Sequence, residues 1–355
     1  MDRISLYTDI DNLAEIFSMK RDTPEFLGVK QLISKESKLI ICEPEEIALQ
    51  NELFIAIAVE LTSGDFLFEY RDEDDVFLNP PFKTNLHVHF KDKRSILFSY
   101  DNERVKLAKT KTGLLLGGIG EEIEVYNKLN FNKGFFRGDR ILTIGNSFKS
   151  YNDLEPFILP FCEIIINEPY LFRPDRNDWD VQDYIDNNFK PLMKVLLANV
   201  QSKINVVICT FVNEQNQNTF PYFDQDEENE TNKGFSLLYK LCCDYLSELL
   251  GGDRYKLWLI VSPMARKARH DRYILTNYQY IESPAGLTYF DDRGNFISRG
   301  EAIHNYSIMH DDARKELIPM VIKNLQEKVI DSVKGTHPDR IYGIENGNSY
   351  FLNFN

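Results

Sequence analysis

The sequence predicts an α/β protein in which a mixed sheet flanked by helices follows an N-terminal α+β region of unassigned fold. Three observations predict it. From Glu163 onward, continuous apolar strand segments alternate with segments of helical period. The stretch Asn127 to Asp139 is rich in Asn and Gly, as a connection between domains is. Residues 1–133 mix shorter strand and helix signals, so the domains are set at 1–133 and 134–355.

In the first region a helix is expected after Thr8 as its cap, with Asp11 at its third position and Ile10, Leu13, Ile16 and Phe17 along one side. Strands follow at Leu39–Cys42, Phe66–Tyr70, Leu86–Phe90 and Ser95–Tyr100, with a helix over Pro44–Leu61. The Gly117-Gly118-Ile119-Gly120 run marks a tight turn or a close backbone approach. It lacks the Lys-Ser/Thr of a phosphate-binding P-loop. Arg140–Ile144 reads as a strand leading into the second domain.

There, Glu163–Phe172 reads as a buried strand ending in a polar Glu168-Pro169-Tyr170 step. A helix over Asp178–Val200 has Val181, Tyr184, Ile185, Leu192, Val195 and Leu196 as its apolar positions, and Pro191 is its expected break. Asn205–Phe211 is a second strand. Phe235–Leu250 is a helix with Leu238, Leu241, Tyr245, Leu246 and Leu249 on one side, closed by Gly251-Gly252. Tyr255–Ser262 is a third strand, and a short strand through Tyr273, Ile274 and Leu275 stops at Thr276 and Asn277. The last helix, Asp312–Val333, turns Leu317, Ile318, Val321, Ile322, Leu325 and Val329 inward, with Asp311 or Asp312 as its cap and Gly335 beyond its end.

Composition limits the setting. A length of 355 residues with 43% hydrophobic content supports ordinary buried cores. No apolar run reaches the ~18 residues of a membrane span, and the N-terminus lacks the basic and apolar regions of a signal peptide, so a cytoplasmic location is expected. Of the five cysteines, Cys42, Cys162 and Cys209 read as small buried side chains in or beside apolar strands, and the adjacent Cys242 and Cys243 lie on a helix without the second pair a zinc site needs; no metal or cofactor is expected. A net charge of −14 excludes a general nucleic-acid coat protein, because such binding requires Lys and Arg on phosphates. The acidic runs Arg71–Asp75 and Asp224–Glu230 lack calcium-loop spacing and read as solvated loops. Asp9, Asp11 and Asp101 invite comparison with a PIN-type metal nuclease, but the first turn of a helix explains Asp9 and Asp11 through the helix dipole.

Chemistry concentrates in Arg266-Lys267-Ala268-Arg269-His270-Asp271-Arg272, four cations and a histidine in an acidic chain. In an extended segment His270 and Arg272 share a face, and an imidazole beside a guanidinium makes a cradle for a phosphate oxyanion. A buried hydrogen-bonded cluster is the alternative. The spacing of His270, Arg272 and Asn277 resembles a half-site of the phospholipase D superfamily, whose pattern is His, any residue, Lys, four residues, Asp; Arg and Asn depart from it. The fuller run, with Gly286, Leu287 and Phe290 and the upstream Glu168-Pro169-Tyr170, is similar to the phospholipase-D-like C-terminal domain that follows MIT domains, which binds without catalysis.

The resemblance implies a phospholipase-D-like sheet and leaves two functions open. In one, a metal-independent phosphodiesterase or nuclease, of the layout found in prokaryotic effectors, uses His270 as nucleophile and Arg272 to hold the developing charge. Asn277 then stands where the family has Asp, and Glu168 is the candidate compensating carboxylate. No other histidine stands in a second His-x-Lys/Arg pattern, so a homodimer would have to bring two His270 side chains together. In the other, the same face, with Arg266, Lys267 and Arg269 as phosphate contacts, binds a phosphate or lipid headgroup without turnover and mediates partner or membrane-surface recognition. Nucleic acid is among the phosphodiester ligands of the first reading.

Overall fold

The computed structural model describes residues 3–19, 22–61, 67–70, 94–131, 138–172, 181–211, 230–262, 272–334 and 340–354. Its contacts form two units: Met1–Asp139 with Leu159–Cys162 and Ser307–Glu316, and Arg140–Ile158 with Glu163–Tyr306 and Leu317–Asn355.

The first unit is built on a five-stranded sheet of order β3-β2-β1-β4-β5, comprising β1 (Ile4–Thr8), β2 (Ser37–Ile41), β3 (Leu67–Tyr70), β4 (Ile96–Phe98) and β5 (Leu115–Gly117). Every pairing in it is parallel. Parallel neighbours need crossovers, and helices supply them: α1 (Ile10–Ser18) and α2 (Pro24–Gln31), α3 (Glu45–Ala48) and α4 (Glu52–Leu61), α5 (Asn102–Thr112), then α6 (Glu122–Asn130) after β5. The expected N-terminal helix exists, but its cap is Asp9 rather than Thr8, because Thr8 still belongs to β1, a strand absent from the sequence reading. The expected Pro44–Leu61 helix is two helices. The expected strand Leu86–Phe90 lies outside the described residues, as do most of both acidic runs.

Asp9 is occupied by the fold. One carboxylate oxygen accepts from Asn12 N at 2.7 Å, and the other accepts from Ser99 Oγ and Tyr100 N, both at 2.8 Å, tying the exit of β4 to that of β1. Among the described residues, no group of three or more His, Cys, Asp or Glu is arranged to hold a metal ion. The glycine run is a close backbone approach: a Cβ on Gly118 would collide with the Asn102 amide oxygen.

The second unit carries an eight-stranded mixed sheet, order β13-β9-β8-β7-β10-β11-β12-β6. Its strands are β6 (Asp139–Thr143), β7 (Glu163–Asn167), β8 (Ile204–Phe211), β9 (Tyr255–Ser262), β10 (Tyr273–Thr276), β11 (Gln279–Glu282), β12 (Ala302–Ser307) and β13 (Arg340–Tyr342). β7, β8 and β9 run parallel, while β10 and β13 pair antiparallel on either side of them. Helices α7 (Val181–Asn187) and α8 (Phe189–Leu197) connect β7 to β8, α9 (Glu230–Leu250) connects β8 to β9, and α10 (Ile318–Val333) follows the sheet. The expected break at Pro191 falls instead at Asn188; Pro191 sits in the first turn of α8, where its missing N–H costs nothing. Leu238, Cys242, Leu246 and Leu250 form the buried stripe of α9, and the left-handed Gly251 ends it as expected. The last helix starts at Ile318, after a π-type turn at Ala313–Leu317.

At the amino end of β7, Glu163 is fully buried and holds the C-terminal segment. Its carboxylate accepts from Ser349 Oγ at 2.7 Å, Phe351 N at 3.3 Å, Asn205 Nδ2 at 3.2 Å and the Tyr350 amide. Nearby, Trp258 donates to Gly347 O and stacks on Phe354, further fixing that segment. Burial pushes the Glu163 carboxyl up to about 7 against those donors. Because the folded value lies above the unfolded one, this group's stabilisation is complete below about pH 4.5 and is lost as pH rises to about 7. Urea unfolding is expected to show up to about 3 kcal/mol of such loss between those pH values. Glu163→Gln should remove that slope and be less stable at pH 5, because an amide NH₂ replaces an acceptor.

Candidate functional site

Register places the site. β10 pairs with β7 as Tyr273 to Asn167 and with β11 as Tyr273 to Glu282. One residue further on, Arg272 stands opposite Glu168 and Ser283, and the Ser283 amide donates to the Arg272 carbonyl at 3.3 Å. Directly opposed residues of antiparallel strands share a face. Glu168, Arg272 and Ser283 therefore form one row across three strands, at the carboxyl edge of β7.

This is also the sheet's switch point: β8 and β9 extend to one side of β7, and β10 lies on the other. In open α/β sheets, ligands bind outside the carboxyl ends of strands at such a point. The chain leaves that edge at Ser262, where Lys328 Nζ donates to Ser262 Oγ at 2.8 Å, and returns to it at Arg272. Those two positions are three strand spacings apart, about 14 Å. Between them Arg266, Lys267, Arg269 and His270 lie outside the described residues.

Glu168 is completely buried. Its Oε1 accepts from Tyr170 N at 2.9 Å and its Oε2 from Leu287 N at 2.5 Å. Arg272 lies with its guanidinium 5.1 Å from the Tyr170 ring centroid and donates from Nη1 to Pro284 O at 3.3 Å. Gly286 closes over both. Its φ is +95°, and a Cβ there would lie 3.0 Å from Arg272 Nη1 and 3.1 Å from Glu168 Oε2.

The segment after Gly286 is clamped from below. The Tyr151 hydroxyl donates to Leu287 O at 2.8 Å. Asn188 donates from Nδ2 to Phe290 O at 2.7 Å and accepts from Phe290 N at 3.0 Å. Burial pushes the Tyr289 hydroxyl well up, the neighbouring Ser283 hydroxyl lowers it, and the Glu168 charge raises it further, so Tyr289 stays protonated at neutral pH.

Asn277 is elsewhere. It sits in the turn between β10 and β11, about 17 Å along the strand from Arg272. Its Oδ1 accepts the Glu163 amide at 3.1 Å, at the amino edge of β7. Of the expected site residues, the fold brings Glu168 and Arg272 together and separates Asn277 from both. Sequence reasoning missed Ser283, Tyr289, Tyr151 and Asn188. Only Asn188 left a signal, as a polar residue spaced four from both Tyr184 and Leu192 on the apolar stripe.

No family model matches the chain, and no curated protein does. Among solved structures, phosphatidylserine synthase of Haemophilus influenzae Rd KW20 matches with a TM-score of 0.28 and 12% identity, over 56% of this chain and 43% of that protein. This chain thus spans less than half of that protein's length. Among the described residues, no helix is long and apolar enough to cross a membrane.

Two substitutions separate the roles. Gly286→Ala is expected to destabilise the fold by about 1–3 kcal/mol in chemical denaturation, through its positive φ and the crowding of Glu168 and Arg272. Asn277→Ala should cost about 1–2 kcal/mol in the same measurement by orphaning the Glu163 amide, with the turn around Glu168 left intact.

Proposed function

We propose that the second unit recognises phosphate groups without turnover, anchoring them on Arg272 at the carboxyl edge of β7. The observation that carries this is the setting of Arg272: a guanidinium braced by an aromatic ring and a carbonyl, at the switch point of the sheet, with Nε left without a partner. A fixed guanidinium fork is suited to phosphate oxygens.

Two features favour binding over phosphodiester cleavage. Both oxygens of Glu168, the candidate compensating carboxylate, take backbone amides that hold a turn, and Asn277 serves the opposite edge. The resemblance of the surrounding sequence to the noncatalytic phospholipase-D-like domain supports the same side. The basic stretch Arg266, Lys267 and Arg269 leads directly into Arg272 and supplies further cations for the same ligand. The ligand class is a phosphate group, free or on a lipid headgroup.

Isothermal titration with inorganic phosphate and glycerol 3-phosphate tests this, alongside flotation with vesicles of phosphatidic acid in phosphatidylcholine. Arg272→Ala is expected to weaken binding at least tenfold, as loss of a charge-assisted hydrogen bond does, with the circular-dichroism melt little changed. Absence of binding in the wild-type chain would overturn the proposal. So would chelator-resistant phosphodiester cleavage lost in His270→Ala, which would establish the enzyme.

A further inference from the structure

The row Glu168, Arg272, Ser283 contains hydrogen-bonding capacity that the fold does not use. Arg272 Nε, Ser283 Oγ and Tyr289 Oη are buried, and none of them has a partner at full hydrogen-bond geometry; the two hydroxyls make at most a weak contact with each other, which leaves at least one of their protons to give. Ser283 and Tyr289 are each only 2% exposed. Their hydroxyls are neighbours, Tyr289 senses the Glu168 charge, and Ser283 stands opposite Arg272 in the strand register. Buried polar atoms are nearly always paired, so three orphans around one carboxylate need an explanation.

Their chemistry supplies one. The guanidinium Nε–H can only donate, and each hydroxyl brings one proton to give. Glu168 spends its oxygens on the Tyr170 and Leu287 amides. What the cluster lacks is an acceptor that can take several donors at once. A water molecule accepts two hydrogen bonds and must place two protons of its own, whereas a phosphate oxygen accepts up to three and gives none.

We infer that Arg272 Nε, Ser283 Oγ and Tyr289 Oη form an inner subsite that takes one oxygen of the bound phosphate group, with Arg272 Nη1 and the Tyr170 ring holding the guanidinium in place. This rests on the phosphate-recognition reading and adds to it two residues that the His-x-Arg pattern does not contain. Ser283 and Tyr289 act by direct contact with the ligand. Gly286 matters to them indirectly, because the turn it permits keeps a side chain out of the space shared by Arg272 and Glu168.

Tyr289→Phe and Ser283→Ala each delete one hydroxyl, together with its weak contact to the other, and leave the Glu168 bonds in place. In titrations of the full chain with inorganic phosphate, each is expected to weaken binding about tenfold, while thermal melts stay level or rise because an orphaned polar atom has gone. Vesicles of phosphatidic acid in phosphatidylcholine, against phosphatidylcholine alone, form the second arm. A matching loss there makes the lipid headgroup the source of the phosphate, and a loss confined to inorganic phosphate makes it a soluble ligand; both support the subsite. Wild-type affinity in both variants, with binding lost in Arg272→Ala, overturns the subsite and leaves the phosphate reading intact. Absence of binding in the wild type overturns both. If Tyr289→Phe melts early, Ser283→Ala alone decides.

Discussion

A carboxylate removed from water must be surrounded by donors, and Glu168 meets that requirement with the backbone of its own turn and of a segment more than a hundred residues later. The Tyr170 amide fixes how the chain leaves β7, and the Leu287 amide fixes where the chain after β11 returns. Gly286, left-handed and directly before Leu287, lies against both Glu168 and Arg272 at that second bond. An uncompensated buried charge costs several kcal/mol, so the turn and the carboxylate stand or fall together.

β7 is bracketed by two such groups. Glu163 at its start gathers the C-terminal segment, and Glu168 just past its end gathers the segment around Gly286. Each fastens a distant stretch of chain to one end of the central strand, yet the ends differ in what is left over. At the amino edge the surrounding groups close on one another: Asn277 takes the Glu163 amide, and Asn205, Ser349 and the Phe351 amide take its carboxylate. At the carboxyl edge three donors remain.

The elements most readable from sequence were those with local periodicity. β8 and β9 are continuous apolar runs, and the Tyr255–Ser262 strand matches its expected bounds. β1 escaped notice because five residues, one of them the polar Ser5, give too short a pattern before the capped helix that follows. The site was half legible. A His-x-Arg pair just before an apolar run announces itself, and an acidic residue ending an apolar strand does too. Ser283 and Tyr289 could not be found this way, since their relation to Arg272 depends on the β10–β11 register and on a turn with positive φ. Asn277 misled for the same reason: a spacing of five residues looks local in sequence but spans the whole strand, so the two ends of the motif belong to opposite edges of the sheet.

The contrast between the edges bears on where function lies in this fold. Leaving a buried donor unpaired costs about 1–3 kcal/mol, comparable with a large share of a domain's net stability. Replacement by Phe at 289 or Ala at 283 would remove that cost without touching the Glu168 bonds that hold the turn. The architecture of the turn does not require these donors, since the Glu168 bonds hold it without them. They stand beside the most tightly organised turn of the unit and at the switch point of its sheet, where the backbone is already fixed. An acceptor arriving there would meet donors positioned in advance, with little further ordering of the chain to oppose binding.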